Sequence, residues 1–176
     1  MNKKITTEFL QSINACQSGI DQVAKYENKE PVAVIRQLVA DDHWDWANWL
    51  LPRLMDYKGY VSYAVFAALQ VIDIYEKKYP NDKRPRLAIE AAQRCIDDPS
   101  KKNKLEAEAA AEAAWAAWPP AARAAAEAAV RAAWAAEAAW PPAAWAAEAA
   151  RAAAGAGGAE IKTKIIEYGI SLFAEK

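Results

Sequence analysis

The sequence predicts an all-α domain, and three observations carry that expectation. Apolar residues recur at three- and four-residue spacing through most of the first hundred positions. Residues 105–154 are almost entirely alanine, the residue with the highest helix propensity. No stretch alternates apolar and polar side chains with the period of a strand. A chain of 176 residues is long enough to bury a core of its own. We therefore expect a single-domain bundle over 1–176, of about eight short helices. It divides into an ordinary helical half (1–100), an alanine-rich half (105–154) and a closing helix (159–176).

In the first forty residues, Thr6 or Thr7 caps a helix that turns Phe9, Leu10, Ile13 and Cys16 inward. Gly19 marks a break, and Asp21 to Lys29 forms another turn or two. Pro31 suits the first turn of the next helix, where its missing N–H has no partner to lose. Val32, Ile35 and Val39 supply that helix's apolar face. Asp41 to Met55, DDHWDWANWLLPRLM, reads as one helix capped by Asp41 or Asp42. Trp46, Trp49, Leu50 and Arg53 follow i, i+3, i+4, i+7 along it.

Asp56 to Gly59 is a turn. Tyr60 to Tyr79 is a long helix whose apolar surface is wide enough to mark it as central. Pro80, Asn81 and Asp82 stop it. Pro85 starts the next helix, with Leu87, Ile89, Ala92 and Ile96 available for the core, and Asp97 to Ser100 ends it. In the alanine-rich half the unit Trp-Pro-Pro-Ala-Ala occurs at Trp118 and again at Trp140. Each proline pair ends one helix, because the residue before proline disfavours the α region. This gives helices near Leu105–Trp118, Pro120–Trp140 and Pro142–Ala154.

Non-alanine residues recur there about every third position, as in Trp145, Glu148 and Arg151, so they spiral around the helix rather than form a stripe. The bare faces between them let helix axes approach closely. They also suit a homo-oligomer, although no heptad register specifies one. The tract has no regular Thr array, so an ice-binding face is rejected, and two repeat units are few for a solenoid. Gly155, Gly157 and Gly158 form a flexible joint before the last helix. That helix places Ile161, Ile165, Tyr168 and Leu172 on one face to pack back on the first half.

Net charge is −1 and the isoelectric point about 5.9, which steers the protein neither to bulk nucleic acid nor to an anionic membrane. No run approaches the roughly 20 apolar residues that span a bilayer, and MNKKITTEF is too polar for a signal peptide. Cys16 and Cys95 are too few for a disulfide framework and fit a reduced, cytoplasmic compartment. One histidine and two distant cysteines make no metal-ligand set, and no glycine-rich phosphate loop is present. No cofactor is expected.

The candidate site residues cluster in the tryptophan-rich stretch. Trp44, Trp46 and Trp49 offer rigid π-faces for a planar ligand, but the alanine helices also need bulky residues to fill volume. Some indoles can be buried while others line a cleft between the two halves. His43 beside Asp41, Asp42 or Asp45 could act as a general base, and a hydrolase would need it to converge with a carboxylate in a cleft. Asp45 and Asn48 bring hydrogen-bonding groups to the same segment. Arg53, in an apolar-rich helix, requires an acidic partner or a ligand, with Asp73 and Glu90 the nearest acids by type. Arg84 and Arg86 enter a helix at its N-terminal end, where anions are favoured.

HWDWANWLLPRLM, YAVFAALQVIDIYEKKYPNDKRPRLAIEAAQRCI, the alanine-rich tract and KTKIIEYGISL together resemble the immunity protein family (immunity type five-like) of bacteria and some phages. The likeness runs from about Cys16 to Leu172. Trp and Pro-Pro stand where that family usually punctuates its alanine tract with Tyr, Asp and Arg. The resemblance implies a non-enzymatic protein that binds a toxin or effector and neutralises it by sequestration. The residue types allow a second target, a small nucleotide-derived signal of host immunity. In that version the indoles face the base, Arg84 and Arg86 the phosphate, and Asp45 and Asn48 the ring edge or ribose.

Overall fold

A computed structural model describes residues 4–116, 123–137 and 142–174. Among these every regular element is helical, in one bundle. The order is α1 (Thr7–Ser12), α2 (Gln17–Ala24), α3 (Pro31–Ala40), α4 (Trp44–Leu50), a 3-10 turn (Leu51–Leu54), α5 (Tyr57–Leu69), α6 (Ile72–Lys78), α7 (Arg84–Asp97), α8 (Lys101–Ala116), α9 (Arg123–Glu137) and α10 (Pro142–Ala174). The Trp-Pro-Pro junctions expected to separate the alanine helices, at Trp118 and Trp140, lie outside the described residues up to Pro142.

α5 is the centre. Tyr60, Val61, Tyr63, Ala64, Val65, Ala67 and Ala68 are all buried, as its wide apolar surface predicts. α7, α9 and α10 pack around it. The alanine-rich side of the core is made of backbone brought close: Ala128, Ala129, Ala132, Ala133, Ala135 and Ala136 of α9 are completely buried. Alanine offers no polar side chain, so hydrogen bonds from the ordinary half end on its carbonyls. Tyr57 donates to the Ala136 carbonyl at 2.6 Å and Asn48 Nδ2 to the Ala147 carbonyl at 2.9 Å.

Several local expectations change, each for a physical reason. Neither Asp41 nor Asp42 caps α4. Asp42 has φ 63°, outside the extended region an N-cap occupies. The Asp41 carboxylate instead clips α2 to α3, accepting from Tyr26 at 2.8 Å and from Gln22 and Gln37 at 2.9 Å. The Asp41–Met55 helix is really α4 plus the 3-10 turn. Pro52 has no N–H to give the carbonyl four residues back, so the helix tightens there. The Tyr60–Tyr79 helix is two helices, broken at Gln70–Val71, where Val71 leaves helical geometry with φ −129°. The break re-aims α6 so that Ile72 and Tyr75 enter the core.

Gly19 is no break, since it lies inside α2. Cys16 is exposed rather than inward. α3 buries Val34, Ile35 and Leu38, leaving Val39 exposed, because its neighbours cover a face one residue round from the predicted one. Leu87 is likewise exposed, while Ile89 and Ala92 carry the inner face of α7. Pro31 and Pro85 do sit in first turns, and Thr6 and Asp56 cap α1 and α5.

The glycine joint narrows to one residue. Gly158, with φ 73° and ψ −160°, kinks α10 in a conformation closed to side chains with a Cβ. Beyond the kink α10 returns to the first half. Phe66 stacks on Tyr168 at 3.9 Å. Gly169 lets the helices touch, since a Cβ there would lie 2.2 Å from Leu51 Cδ2 and 2.8 Å from Tyr63 Cε2.

Candidate functional site: a tryptophan-lined cleft

A cleft of about 560 Å³ opens between the first four helices and the front half of α10. Its floor is apolar, with Leu10 of α1, Val23 of α2, Leu38 of α3 and Leu50 of α4. One wall is the turn between α1 and α2, Asn14 to Cys16, whose Asn14 has φ 57°. A second wall is α4, which contributes Asp45, Trp46, Asn48 and Trp49. The third is α10, with Ala147, Glu148 and Arg151.

Four of the nine candidate residues therefore line one cleft: Asp45, Trp46, Asn48 and Trp49. Trp46 and Trp49 are half-buried, and each has one ring face covered from behind. His43 stacks on Trp46 with ring centres 4.1 Å apart. Arg53 lies 3.9 Å above the Trp49 ring and donates to the Trp49 carbonyl at 2.6 Å. With one face covered, each indole has its other face and its edge left for the cleft.

Asn48 is buried and committed: its Oδ1 accepts from Tyr63 at 2.8 Å and its Nδ2 donates to Ala147. It ties α4, α5 and α10 together at the base of the cleft. Trp44 belongs to the core, its indole N–H donating to the Lys162 carbonyl at 3.2 Å.

Arg53 finds neither Asp73 nor Glu90. Its guanidinium rests on Trp49, and burial lowers its pKa from the free value. Asp73 faces Arg86 at 3.6 Å. Arg84 and Arg86 do not line the cleft. Arg84 grips Asp82 through two bonds, at 2.9 and 2.8 Å, and Arg86 grips Glu76 at 2.6 and 2.7 Å. These pairs hold Asp82 and Glu76 below their ordinary carboxylate values. Arg84 does border a second hollow of about 610 Å³, with Lys78, Lys83 and Leu87.

Glu148 and Arg151, absent from the candidates, were visible only as members of the three-residue spiral in α10. Arg151 binds Glu148 through Nε at 3.1 Å and through Nη2. Glu148 first, then Glu127 and Asp45, raise its pKa. Outside the cleft lining, Trp115, Trp134 and Trp145 from three helices form a row of indoles with ring centres 5.4 and 4.8 Å apart.

Among the described residues no cluster of three metal-ligating side chains occurs. No described helix is long and apolar enough to cross a membrane. No protein-family model, curated protein or solved structure matches this chain.

Proposed function

We propose that this is a non-enzymatic binding protein that acts by sequestration, and that the cleft between α4 and α10 holds a small molecule with a planar ring. The observation that carries this is the pair Trp46 and Trp49, held from behind by His43 and Arg53 at the mouth of a 560 Å³ cavity. That volume lies within the range of about 300–1,000 Å³ typical of small-molecule sites. Preset aromatic walls reduce the ordering cost of binding. A polyphosphate ligand is a poor match, because Arg84 and Arg86 are tied to carboxylates away from the cleft. The hydrolase alternative has little support, since His43 is stacked on Trp46 and no described carboxylate is hydrogen-bonded to it.

The test is mass spectrometry of the purified protein, native and then denatured. The expected result is one bound small molecule per chain, released on denaturation and lost from the Trp46→Ala/Trp49→Ala double variant. An adduct retained by that variant overturns the proposal. Neutralisation of a toxin or effector protein stands as a second reading, favoured by the Trp115–Trp134–Trp145 row. Trp115 is 43% exposed there, and tryptophan is enriched in interface hot spots. A protein complex abolished by Trp115→Ala, with the cleft empty, would select it.

A further inference from the structure

Resting on the small-molecule proposal, we infer that the occupant of the cleft is a planar organic cation. Its charge sits on the Asp45 carboxylate and its ring against Trp46 and Trp49. The lining carries two carboxylates, Asp45 and Glu148, against one guanidinium, Arg151. Arg151 is spent on Glu148 through two hydrogen bonds, so those two neutralise each other. Asp45 is the less satisfied charge: it is exposed at the cleft and has no salt bridge among the described residues, although Arg151 is close enough to feel it.

Two positive features oppose it, the Arg53 guanidinium over Trp49, which is not part of the cleft lining, and a helix end. The N-terminal turn of α2 borders the cleft at Cys16 and Gly19 without a side-chain cap. A helix end is equivalent to roughly half an elementary charge, less than the full charge of Asp45. The indoles act in the same direction as Asp45, because a ring face attracts a cation placed within about 6 Å. Arg53 over Trp49 shows that this ring holds a cation, and its own charge works against a second one there, which leaves Trp46 the freer wall.

Three probes of nearly one shape and different charge test this: 1-methylnicotinamide (cation), nicotinamide (neutral) and nicotinate (anion). Binding is read by ligand NMR line broadening on the full chain. Control protein carries an N-ethylmaleimide adduct on Cys16, which lines the cleft while Cys95 is buried. The cation should bind about fivefold tighter than the neutral ring, and the anion weakest, as expected for one charge contact near water. Asp45→Asn should erase the cation's advantage and leave nicotinamide unchanged, with the helical signal intact.

Nicotinate binding as tightly as the cation overturns the inference and leaves the cleft proposal standing. A cation preference that survives Asp45→Asn overturns the role of Asp45. Binding that survives the Cys16 adduct places the probe elsewhere and overturns the site. Failure of all three probes counts against the small-molecule proposal itself.

Discussion

The two halves of this bundle make their cores in opposite ways. Before residue 100 the core is filled by large side chains, Tyr63, Tyr75, Ile35, Leu38, Leu50, Leu51, Ile72 and Ile89, with alanines such as Ala64 and Ala68 between them. In α8, α9 and the front of α10 the buried side chains are alanines with almost no exposure, joined by Val130. A large side chain removes much apolar area from water and fills space with many contacts. An alanine removes little, and its helix instead depends on high intrinsic propensity and close backbone approach. The ordinary half should therefore suffer when atoms are removed, and the alanine half when atoms are added.

High pH should separate the halves most sharply. Burial pushes Tyr60 and Tyr75 up to about 12 from the ordinary 10.0, and buried Tyr63 higher still. A raised folded-state value means that the stabilisation is complete below pH 10 and is lost as pH rises towards 12. Phenolate absorbance and helical signal should change together in that window. Phenolate formation without unfolding would show the tyrosine-built half to be more open than described.

Tyr63→Ala comes next, at about 3–5 kcal/mol, the usual cost of a large buried aromatic. It also removes the donor to Asn48 Oδ1, measurable as a lower denaturant midpoint. Ala132→Leu, in the completely buried face of α9, should cost about 1–3 kcal/mol by overpacking. The same change at exposed Ala109 of α8 should stay within about 0.5 kcal/mol. Equal effects at the two positions would show that the alanine helices are not closely packed. Smallest is Arg36→Ala. Its two bonds to Glu167, at 2.8 and 2.9 Å, join α3 to α10 at the surface, where such a pair contributes under about 1 kcal/mol.

Fold class, proline starts, the Thr6 cap and the central helix were legible because each depends on neighbours in sequence. The breaks at Pro52 and Gln70 were not, although Pro52 was in plain view. Its effect on α4 depends on which residues the core demands afterwards. The indoles divided as far as types allow: Trp44 to the core, Trp46 and Trp49 to the cleft. Pairing was the least legible property. Arg53 took a ring in place of a carboxylate, and Arg84 and Arg86 took Asp82 and Glu76, all set by helix placement rather than by spacing. Glu148 and Arg151 reach the cleft only because α10 folds against a helix about a hundred positions earlier.

That last relation bears on how the molecule assembles. α10 provides a wall of the cleft before Gly158 and the closing contacts after it. The bond from Asn48 to Ala147 spans 99 positions and that from Arg36 to Glu167 spans 131. Individual helices form in microseconds or less, but distant pairings wait on loop closure. Helical signal should therefore appear early in refolding and the tryptophan environment of the cleft late. On a ribosome the cleft cannot be complete until residue 151 has left the exit tunnel, so a ligand of the proposed kind would be captured only by a chain that has reached its last helix.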